Sequence, residues 1–381
     1  MTVDELTLHD MVGFPLWIQN VLYMKITGHW VGAVPGPTPL RVNILRAVGG
    51  FPVFLVLLYV AGANINGMVH NSDMTDISMN LIVLSTTVSA LHKYSVFTNQ
   101  QQALGRLGRW VKSVAAERKA NNVPDTYADR VLKKALKAFY ISGNVASPIL
   151  IVKMMLTGNT FNVNPGVENF PKPFLMFLIA VSFQAIAWEA VVDGCILMNS
   201  LFVFRSELVR FALEWEKLNF DPHNPEISRR QLKAMVKKHV MLLGVKKDLK
   251  EYNNSMFGYQ VFAAVFTTCA LIYGCAKDTK FLGQAVIQVL PTSTASLLTF
   301  SILCWSGEEV TYLFQQIHRN IYMTNWFEAP REDKKSIIVI LEFAKNPIIF
   351  TGFTVFTCTL TTFVETMKQS FSLYTILKAV L

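Results

Sequence analysis

The chain has 381 residues, of which 52% are hydrophobic and 16% are charged, and its formal net charge is +9. A soluble domain carries about 25% charged residues, so this composition excludes a disordered chain and indicates an integral membrane protein. The first residues include Asp4 and Glu5 but no basic segment followed by an apolar core, so no cleaved signal peptide is predicted.

Seven apolar stretches are long enough to cross a bilayer as helices, which takes about 20 residues each. The N-terminal arm before them, residues 1–47, mixes apolar, aromatic and polar positions. This arm is predicted to lie in the cytosol or at the membrane interface. The spans are predicted at about residues 48–68, 77–97, 138–156, 174–198, 256–276, 284–305 and from 348 to the C-terminal end.

Lysine and arginine are distributed unevenly between the two sides of these spans. The N-terminal arm and the loops after spans two, four and six together carry 27 of them, whereas the alternate loops carry 3. The positive-inside rule therefore predicts a cytosolic N-terminus and, with seven crossings, an extracellular C-terminus. The net charge is explained by this topology, so no nucleic-acid partner is predicted.

Helical periodicity continues beyond the membrane next to the fifth and sixth spans. Apolar residues recur at helical spacing over 228–251 and over 310–326, with charged residues on the opposite faces. A short third helix is predicted at 336–344, ended by Pro347, which removes a backbone donor. These helices form a cytosolic bundle whose apolar faces either pack within the chain or contact another subunit.

These features divide the chain into six segments. They are the N-terminal arm 1–47, spans one to four in 48–204, a cytosolic helical extension 205–255, spans five and six in 256–305, a second cytosolic helical segment 306–346 and the last span in 347–381.

The last span carries more polar residues than lipid tolerates, and such residues usually face a bundle interior or water. One face of this helix has Thr361, Glu365, Lys368, Ser372 and Thr375. The opposite face has Phe363, Met367, Ser370, Tyr374, Leu377 and Leu381. Polarity alone would turn the first face towards water.

The chain has no glycine-rich phosphate loop, no HExxH motif and no nucleophile elbow. Its seven histidines are scattered without a Cys, His or acidic partner at ligand spacing. We therefore predict that the protein is not an enzyme and has neither a metal site nor a cofactor.

Several short motifs in the C-terminal third occur in a fixed order. They are Tyr322 and Trp326, the charged run 331–335, Ala344-Lys345-Asn346-Pro347, Thr351-Gly352-Phe353, Phe363, and finally Lys368-Gln369-Ser370-Phe371-Ser372-Leu373-Tyr374. In this order and spacing the chain resembles the insect odorant receptor family, and it departs from the family's Lys-x-Ser-Tyr-Ser pattern by having Phe371 in place of Tyr. The resemblance implies an all-α membrane protein with seven transmembrane helices and a last helix split into a cytosolic and a pore-lining part.

The resemblance also implies a function. The chain would be a ligand-tuned subunit of a heterotetrameric, odorant-gated, non-selective cation channel, paired with odorant co-receptor subunits in the plasma membrane of a sensory dendrite. The co-receptor's large second intracellular insert is absent here. The ligand would be a small volatile molecule, bound in the outer half of the bundle. Alternatives are a gustatory-type channel, a G-protein-coupled receptor with the opposite orientation, and a secondary transporter, which would usually show internal repeats.

The family's ligand pocket and gate are carried over by position. The implied pocket residues are Met79, Val83, Thr86, Val145, Ala146, Ile149, Phe177, Val181, Gln184, Tyr273, Val289, Thr292 and Ser296. The implied hydrophobic gate is Leu377 and Leu381, with Ser370 and Tyr374 as polar residues of the same pore-lining helix. An apolar ring of this kind can close a pore by dewetting.

Overall fold

The computed structural model describes residues 51–70, 74–157, 172–220, 225–277, 290–345 and 349–380, with Asn20, Ile44 and Val48 of the N-terminal arm. Within these ranges the chain forms nine α-helices and a two-stranded antiparallel hairpin. The helices are α1 Phe51–His70, α2 Met74–Asn99, α3 Gln101–Ala120, α4 Tyr127–Thr157, α5 Lys172–Lys217, α6 Pro225–Lys277, α7 Leu290–Met323, α8 Arg331–Lys345 and α9 Leu360–Val380. The strands are β1 Thr351–Gly352 and β2 Phe356–Thr357, and a 3₁₀ turn spans Trp326–Glu328.

Helices α5, α6 and α7 are the described helices that most exceed the thickness of a bilayer. At 1.5 Å per residue, α5, α6 and α7 are about 69, 80 and 51 Å long, whereas the hydrocarbon core is about 30 Å thick. Each helix therefore continues outside the membrane, as the periodicity of 228–251 and 310–326 predicted for α6 and α7. By length and hydropathy, one described helix, over Glu226–Tyr273, is apolar enough to cross a membrane, and Val53–Val69 is a shorter apolar helix.

Helix α6 is the centre of the described architecture. It packs against α2, α3, α5, α7, α8, α9 and β1. Its Gly258 allows the strand to approach closely, while its apolar side chains enter one continuous core. A displacement of α6 therefore reaches most of the other elements directly.

The loop predicted after the second span is largely helical. Residues 98–137 contain all of α3 and the first turns of α4, and α5 runs on to Lys217, beyond the predicted end at 198. Helix α3 buries Leu104, Leu107 and Val111 at helical spacing. Its many charged residues hid this apolar stripe in the sequence, and the stripe is stable as a helix because α5 and α6 cover it.

The last long helix does not begin at residue 348, as the position of Pro347 suggested. Helix α8 ends at Lys345, the hairpin follows, and α9 begins at Leu360. The reason is local: the N–H groups of Phe353 and Thr354 donate to Asn254 of α6, and in a helix at these residues they would be used within the helix.

The helical segments predicted to lie outside the membrane pack mainly on each other within the chain. Trp215, Phe204 and Ile337 are 0% exposed and share one core with residues of α3, α6 and α7. Burial of each such side chain contributes about 1.5–3 kcal/mol. One side of α8, with Ile338, Val339 and Phe343, stays exposed in the single chain, so the internal core covers only part of the apolar surface.

A buried carboxylate joins helices α3, α5 and α6. Glu207 of α5 is 6% exposed and pairs with Arg118 of α3 at 2.7 Å, Arg210 at 3.1 Å and Lys238 of α6 at 3.7 Å. A buried charge is costly unless it is paired in this way. The network therefore fixes the register of α3, α5 and α6, since a shift of one turn would separate Glu207 from Arg118 and Lys238 and leave it only Arg210 of its own helix.

The stability of this bundle should fall in acid through His239. This residue lies in the part of α6 before the predicted fifth span and stacks on Phe211 with ring centroids 5.9 Å apart. Burial lowers the pKa of the His239 imidazole, and the nearby Lys246 ammonium lowers it further. The unfolded chain therefore binds the proton more tightly, and stability present above the ordinary pKa of about 6.5 is lost as the pH falls through that value towards the folded pKa.

We expect His239→Phe, which keeps the ring but cannot be protonated, to flatten the decline in melting temperature between pH 7.5 and 5.5. Thermal unfolding of the purified protein in detergent measures this. Equal slopes for the variant and the unmodified chain would contradict the assignment.

Candidate functional site: the junction at the base of the last helix

The hairpin between α8 and α9 has a strained turn. Thr351 pairs with Thr357 and Gly352 with Phe356, and the Val355 N–H donates to the Gly352 carbonyl at 3.0 Å. Phe353 and Thr354 have φ angles of 48° and 62°, in the left-handed region that Asn and Gly normally occupy in such turns. Each non-glycine residue there costs on the order of 1–3 kcal/mol and persists only when its surroundings hold it.

Asn254 of α6 holds this turn. Its backbone carbonyl accepts the Phe353 N–H at 3.1 Å, and its side-chain Oδ1 accepts the Thr354 N–H at 3.0 Å. Both N–H groups of the strained residues are thus satisfied by one residue. The Thr351 hydroxyl adds a longer contact to the same Oδ1 at 3.4 Å.

Two glycines permit the contact between hairpin and helix. A Cβ atom on Gly352 would lie 2.5 Å from the Gly258 nitrogen, and one on Gly258 would lie 2.5 Å from the Phe353 ring. Real Cβ atoms do not approach this closely, so neither residue can be larger without displacing the hairpin from α6. The sequence motif Thr351-Gly352-Phe353 is therefore a backbone contact site.

An aromatic cluster connects the hairpin to α2. The His92 ring of α2 stacks on Tyr259 of α6 with centroids 4.8 Å apart, and its Nε2 lies 3.2 Å from the Ser255 carbonyl. Phe353 meets the same His92 ring edge-on at 6.3 Å. Phe262 of α6 packs against both Phe353 and Phe356. The hairpin turn is thus in contact with two helices that the sequence assigned to the ligand pocket.

The start of α9 is fixed to α7. Glu308 accepts the N–H of Leu360 through Oε2 at 2.9 Å, which satisfies a helix N-terminal donor and matches the sign of the helix dipole. The Cys358 thiol donates to the Leu303 carbonyl at 3.1 Å. A Cβ atom on Gly307 would lie 2.4 Å from the Cys358 carbonyl oxygen. The first turn of α9 therefore cannot move without α7.

The two faces of α9 have opposite environments in the single chain. Thr362, Thr366 and Ser370 are buried, and Phe363 packs on Phe300 of α7 with ring centroids 5.6 Å apart. The face that polarity would turn to water is exposed at every position; its members are Thr361, Glu365, Lys368, Ser372 and Thr375. Helix α9 thus packs on its own bundle through the side that carries Thr362, Phe363, Thr366 and Ser370, while Val364 and Phe371 flank the exposed polar face.

This arrangement bears on the residues implied for the pore. Ser370 is 0% exposed and its hydroxyl donates to the Thr366 carbonyl at 2.8 Å, so in the single chain it faces the bundle. Tyr374 is half-buried and contacts Phe371 with centroids 5.8 Å apart. The Leu377 side chain and the whole of Leu381 lie outside the described residues. By helical spacing Leu377 shares the Ser370 face.

The implied pocket residues are only partly described. Val83 and Tyr273 are buried, at 4% exposure each, and the half-buried Thr86 hydroxyl donates to the Val83 carbonyl at 2.9 Å. Val145 is 43% exposed, which does not fit an enclosed pocket. Gln184 is half-buried. Val289 and the side chains of Met79, Ala146, Ile149, Phe177, Val181 and Thr292 lie outside the described residues.

Polar contacts inside the bundle were not predicted from the sequence. Ser85 of α2 and Thr267 of α6 share a hydrogen bond of 3.0 Å, and Gln260 donates to the Ser296 hydroxyl at 2.8 Å. Asn80 of α2 is 1% exposed. The signal available was that polar residues within membrane spans are costly and mark interior positions, which singles out Ser85 and Gln260 as much as Thr86 and Ser296.

Comparison with known proteins gives a consistent family. The family model described as 7tm Odorant receptor matches residues 73–371. Drosophila melanogaster odorant receptor 46a, isoform A, is 22% identical over 314 residues, covering 79% of this chain and 81% of that relative. Two further Drosophila proteins, putative odorant receptor 69a, isoform A, and odorant receptor 85f, are 19% and 24% identical, and the chain spans only 49% and 40% of their lengths.

The fold is similar to that of a solved membrane receptor. The olfactory receptor OR5 of Machilis hrabei, in complex with eugenol, superposes with a TM-score of 0.73 at 14% identity and covers 95% of this chain and 97% of that one. The OR5 structure described without that ligand matches with a TM-score of 0.72. The architecture is therefore the seven-helix membrane fold of that receptor.

We expect Gly258→Ala to destabilise the protein, because the new methyl group would displace the Phe353 ring; such overpacking costs about 1–3 kcal/mol. Gly244→Ala is the matched control on the same helix, since a Cβ there meets nothing within 4 Å. That control should be neutral or stabilise by about 0.5–1 kcal/mol, as replacing a helical glycine normally does. The measurement is the melting temperature of each purified variant in detergent, and equal melting temperatures would show that the hairpin does not need the close contact.

Proposed function

The chain belongs to the insect odorant receptor family, and we propose that it is the ligand-tuned subunit of an odorant-gated, non-selective cation channel. The observation that carries the proposal is α9, a helix that packs on its own bundle through one face and exposes a continuous polar stripe, Thr361 to Thr375, on the other. A polar stripe exposed on a membrane helix requires water or a partner. In a channel it would have both.

The orientation follows from the charge distribution. A cytosolic N-terminus puts the basic loops, α3, α8 and the lower halves of α5, α6 and α7 in the cytosol. Helix α9, with 21 residues, is about 31 Å long, which matches the hydrocarbon thickness of about 30 Å. The last membrane crossing is then α9 alone, separated from α8 by the hairpin.

Assembly with other subunits is supported by the exposed apolar surface of the cytosolic bundle. Val339 and Phe343 of α8 are 55% and 61% exposed, and Tyr322 and Met323 at the end of α7 are 64% and 69% exposed. Large apolar side chains exposed together mark interaction sites. In the heterotetramer that the family resemblance implies, odorant co-receptor subunits would cover this surface and the pore stripes of four α9 helices would face one axis.

The proposed ligand is a small volatile organic molecule. OR5, which shares the fold, was solved in complex with eugenol, a small aromatic compound. In the described part of the implied pocket, the Val83 and Tyr273 side chains are buried, and Thr86, Gln184 and Ser296 add hydrogen-bonding groups. Such a pocket suits a small ligand held by apolar contact and oriented by a few hydrogen bonds. Binding that favours the open arrangement of the bundle would shift the population towards the conducting state.

A gustatory-type channel is the second candidate. Thr362-Phe363 and Gln369-Ser370-Phe371 approach the Thr-Tyr and Gln-Phe pattern at the end of that family. Such a channel would assemble without the odorant co-receptor, which separates the two proposals experimentally.

The deciding measurement is whole-cell current in cells that express this chain with and without an odorant co-receptor, during a panel of volatile compounds and with G-protein signalling blocked. We expect fast cation current that requires the co-receptor. Current from this chain alone would favour the gustatory-type or homomeric channel. Current abolished by the G-protein block would contradict the channel proposal.

The pore face is tested by a matched pair of cysteine variants. Ser372→Cys lies on the exposed stripe and Ser370→Cys on the buried face, two residues apart. We expect a charged, water-soluble thiol reagent to block odorant-evoked current in Ser372→Cys channels and to leave Ser370→Cys channels unaffected. The unmodified chain, whose Cys195, Cys269, Cys304 and Cys358 are buried, is the reagent control.

The opposite pattern would restore the gate first implied by the resemblance. If the reagent acts on Ser370→Cys and Leu377→Cys but not on Ser372→Cys, the face with Leu377 and Leu381 lines the pore. In that case truncation of Leu377 to alanine should also raise the resting current, because an apolar ring closes a pore only while it stays narrow and dry.

A further inference from the structure

The hairpin joins parts of the chain that the proposed function assigns to different tasks. It follows the cytosolic helix α8 and precedes the pore helix α9. Its turn is held by Asn254 of α6 and touches His92 of α2. Helices α2 and α6 also carry the implied ligand residues Val83 and Tyr273. One short segment is thus in contact with the ligand side and continuous with the pore side.

We infer that the contact between His92 and Phe353 couples movement of α2 on ligand binding to the start of the pore helix, and that both are positioning residues for gating. The inference rests on the proposed channel function, because it assigns a role within that function. The inference adds to that function the contact through which ligand binding would be coupled to the pore helix.

Helix α2 connects the implied ligand residue Val83 to His92. His92 lies nine residues after Val83 on the same unbroken helix, a distance of about 14 Å. A helix of this length moves as a rigid rod, so a displacement at the ligand side is delivered at His92. There the His92 ring contacts both Tyr259 and Phe353, whose ring centroids are 4.8 Å and 6.3 Å away. A movement of His92 therefore disturbs at least one of these two contacts.

The hairpin cannot absorb such a displacement. Its turn residues have positive φ angles and depend on Asn254 for both N–H partners. Gly352 lies directly on the Gly258 backbone. At the other end the Cys358 thiol donates a hydrogen bond to the Leu303 carbonyl, and the Glu308 carboxylate accepts one from the N–H of Leu360, the first residue of α9. A push on Phe353 is therefore not absorbed by a flexible loop but passes to the base of α9, together with the part of α7 to which that base is fixed.

The contact between the His92 and Phe353 rings has a specific geometry. An edge-on ring pair between His92 and Phe353, at an interplanar angle of 82°, is specific in geometry and is worth more than its buried area alone. Packed aromatic contacts of this kind have discrete arrangements instead of deforming continuously. Such a contact can hold one relation between α2 and α9 at rest and another when ligand is bound.

The test is a double-mutant cycle on odorant-evoked current, with surface abundance and ligand-induced thermal stabilisation of the purified protein measured in parallel. We expect His92→Ala and Phe353→Leu each to shift the half-maximal odorant concentration by about fivefold or more. The double variant should shift it no further than the larger single variant, because both remove one contact. Ligand-induced stabilisation should remain, since neither residue is placed in the pocket.

Two further variants separate coupling from general structural damage. His92→Phe keeps a ring between Tyr259 and Phe353 and should restore the response that His92→Ala loses. His318→Ala is the matched control: its Nδ1 contacts the Leu341 carbonyl at 3.2 Å, the same kind of imidazole contact as His92 with Ser255, but between α7 and α8. Channels with His318→Ala that reach the surface should keep the original half-maximal concentration.

The outcomes distinguish this inference from the proposed function. If the unmodified chain conducts and the two substitutions are additive, or leave the response unchanged at normal surface abundance, the coupling inference is wrong and the channel proposal stands. If His92→Phe behaves like His92→Ala, the ring contact is not the coupling element. If the unmodified chain with its co-receptor carries no current, the channel proposal fails and the coupling inference fails with it.

Discussion

The contact on which the last third of the chain depends is backbone against backbone, between Gly352 of the hairpin and Gly258 of α6. Because neither residue has a side chain, the turn residues come close enough for Asn254 to accept both of their N–H groups. Those hydrogen bonds keep Phe353 and Thr354 in a backbone conformation that neither would adopt alone. These contacts also set the position of α9, because the hairpin that precedes it is short and is hydrogen-bonded to α6 and α7.

A second constraint comes from length. Helices α5, α6 and α7 are far longer than a bilayer is thick, so the same helices form the membrane part and a bundle outside it. Buried residues such as Trp215 and Ile337 and the ion pairs of Glu207 hold the helices together in that bundle. The bundle therefore fixes the helices relative to each other outside the membrane.

The low identity to the relatives has a physical counterpart. At 14% identity to OR5 the fold is retained, because many different side chains can provide the apolar length and helical periodicity that a membrane helix requires.

The membrane class, the seven-helix fold and the helical extensions of α6 and α7 could be predicted from the amino-acid sequence, because apolar length and 3.6-residue periodicity are local properties. The orientation inferred from charge asymmetry stays a prediction. Neither α3, whose apolar stripe is covered by α5 and α6, nor the start of α9 at Leu360 could be predicted in this way. The inward face of α9 depends on contacts distant in sequence: Thr366 and Ser370 are buried because this side of the helix packs on its own bundle, where Phe363 meets Phe300 of α7.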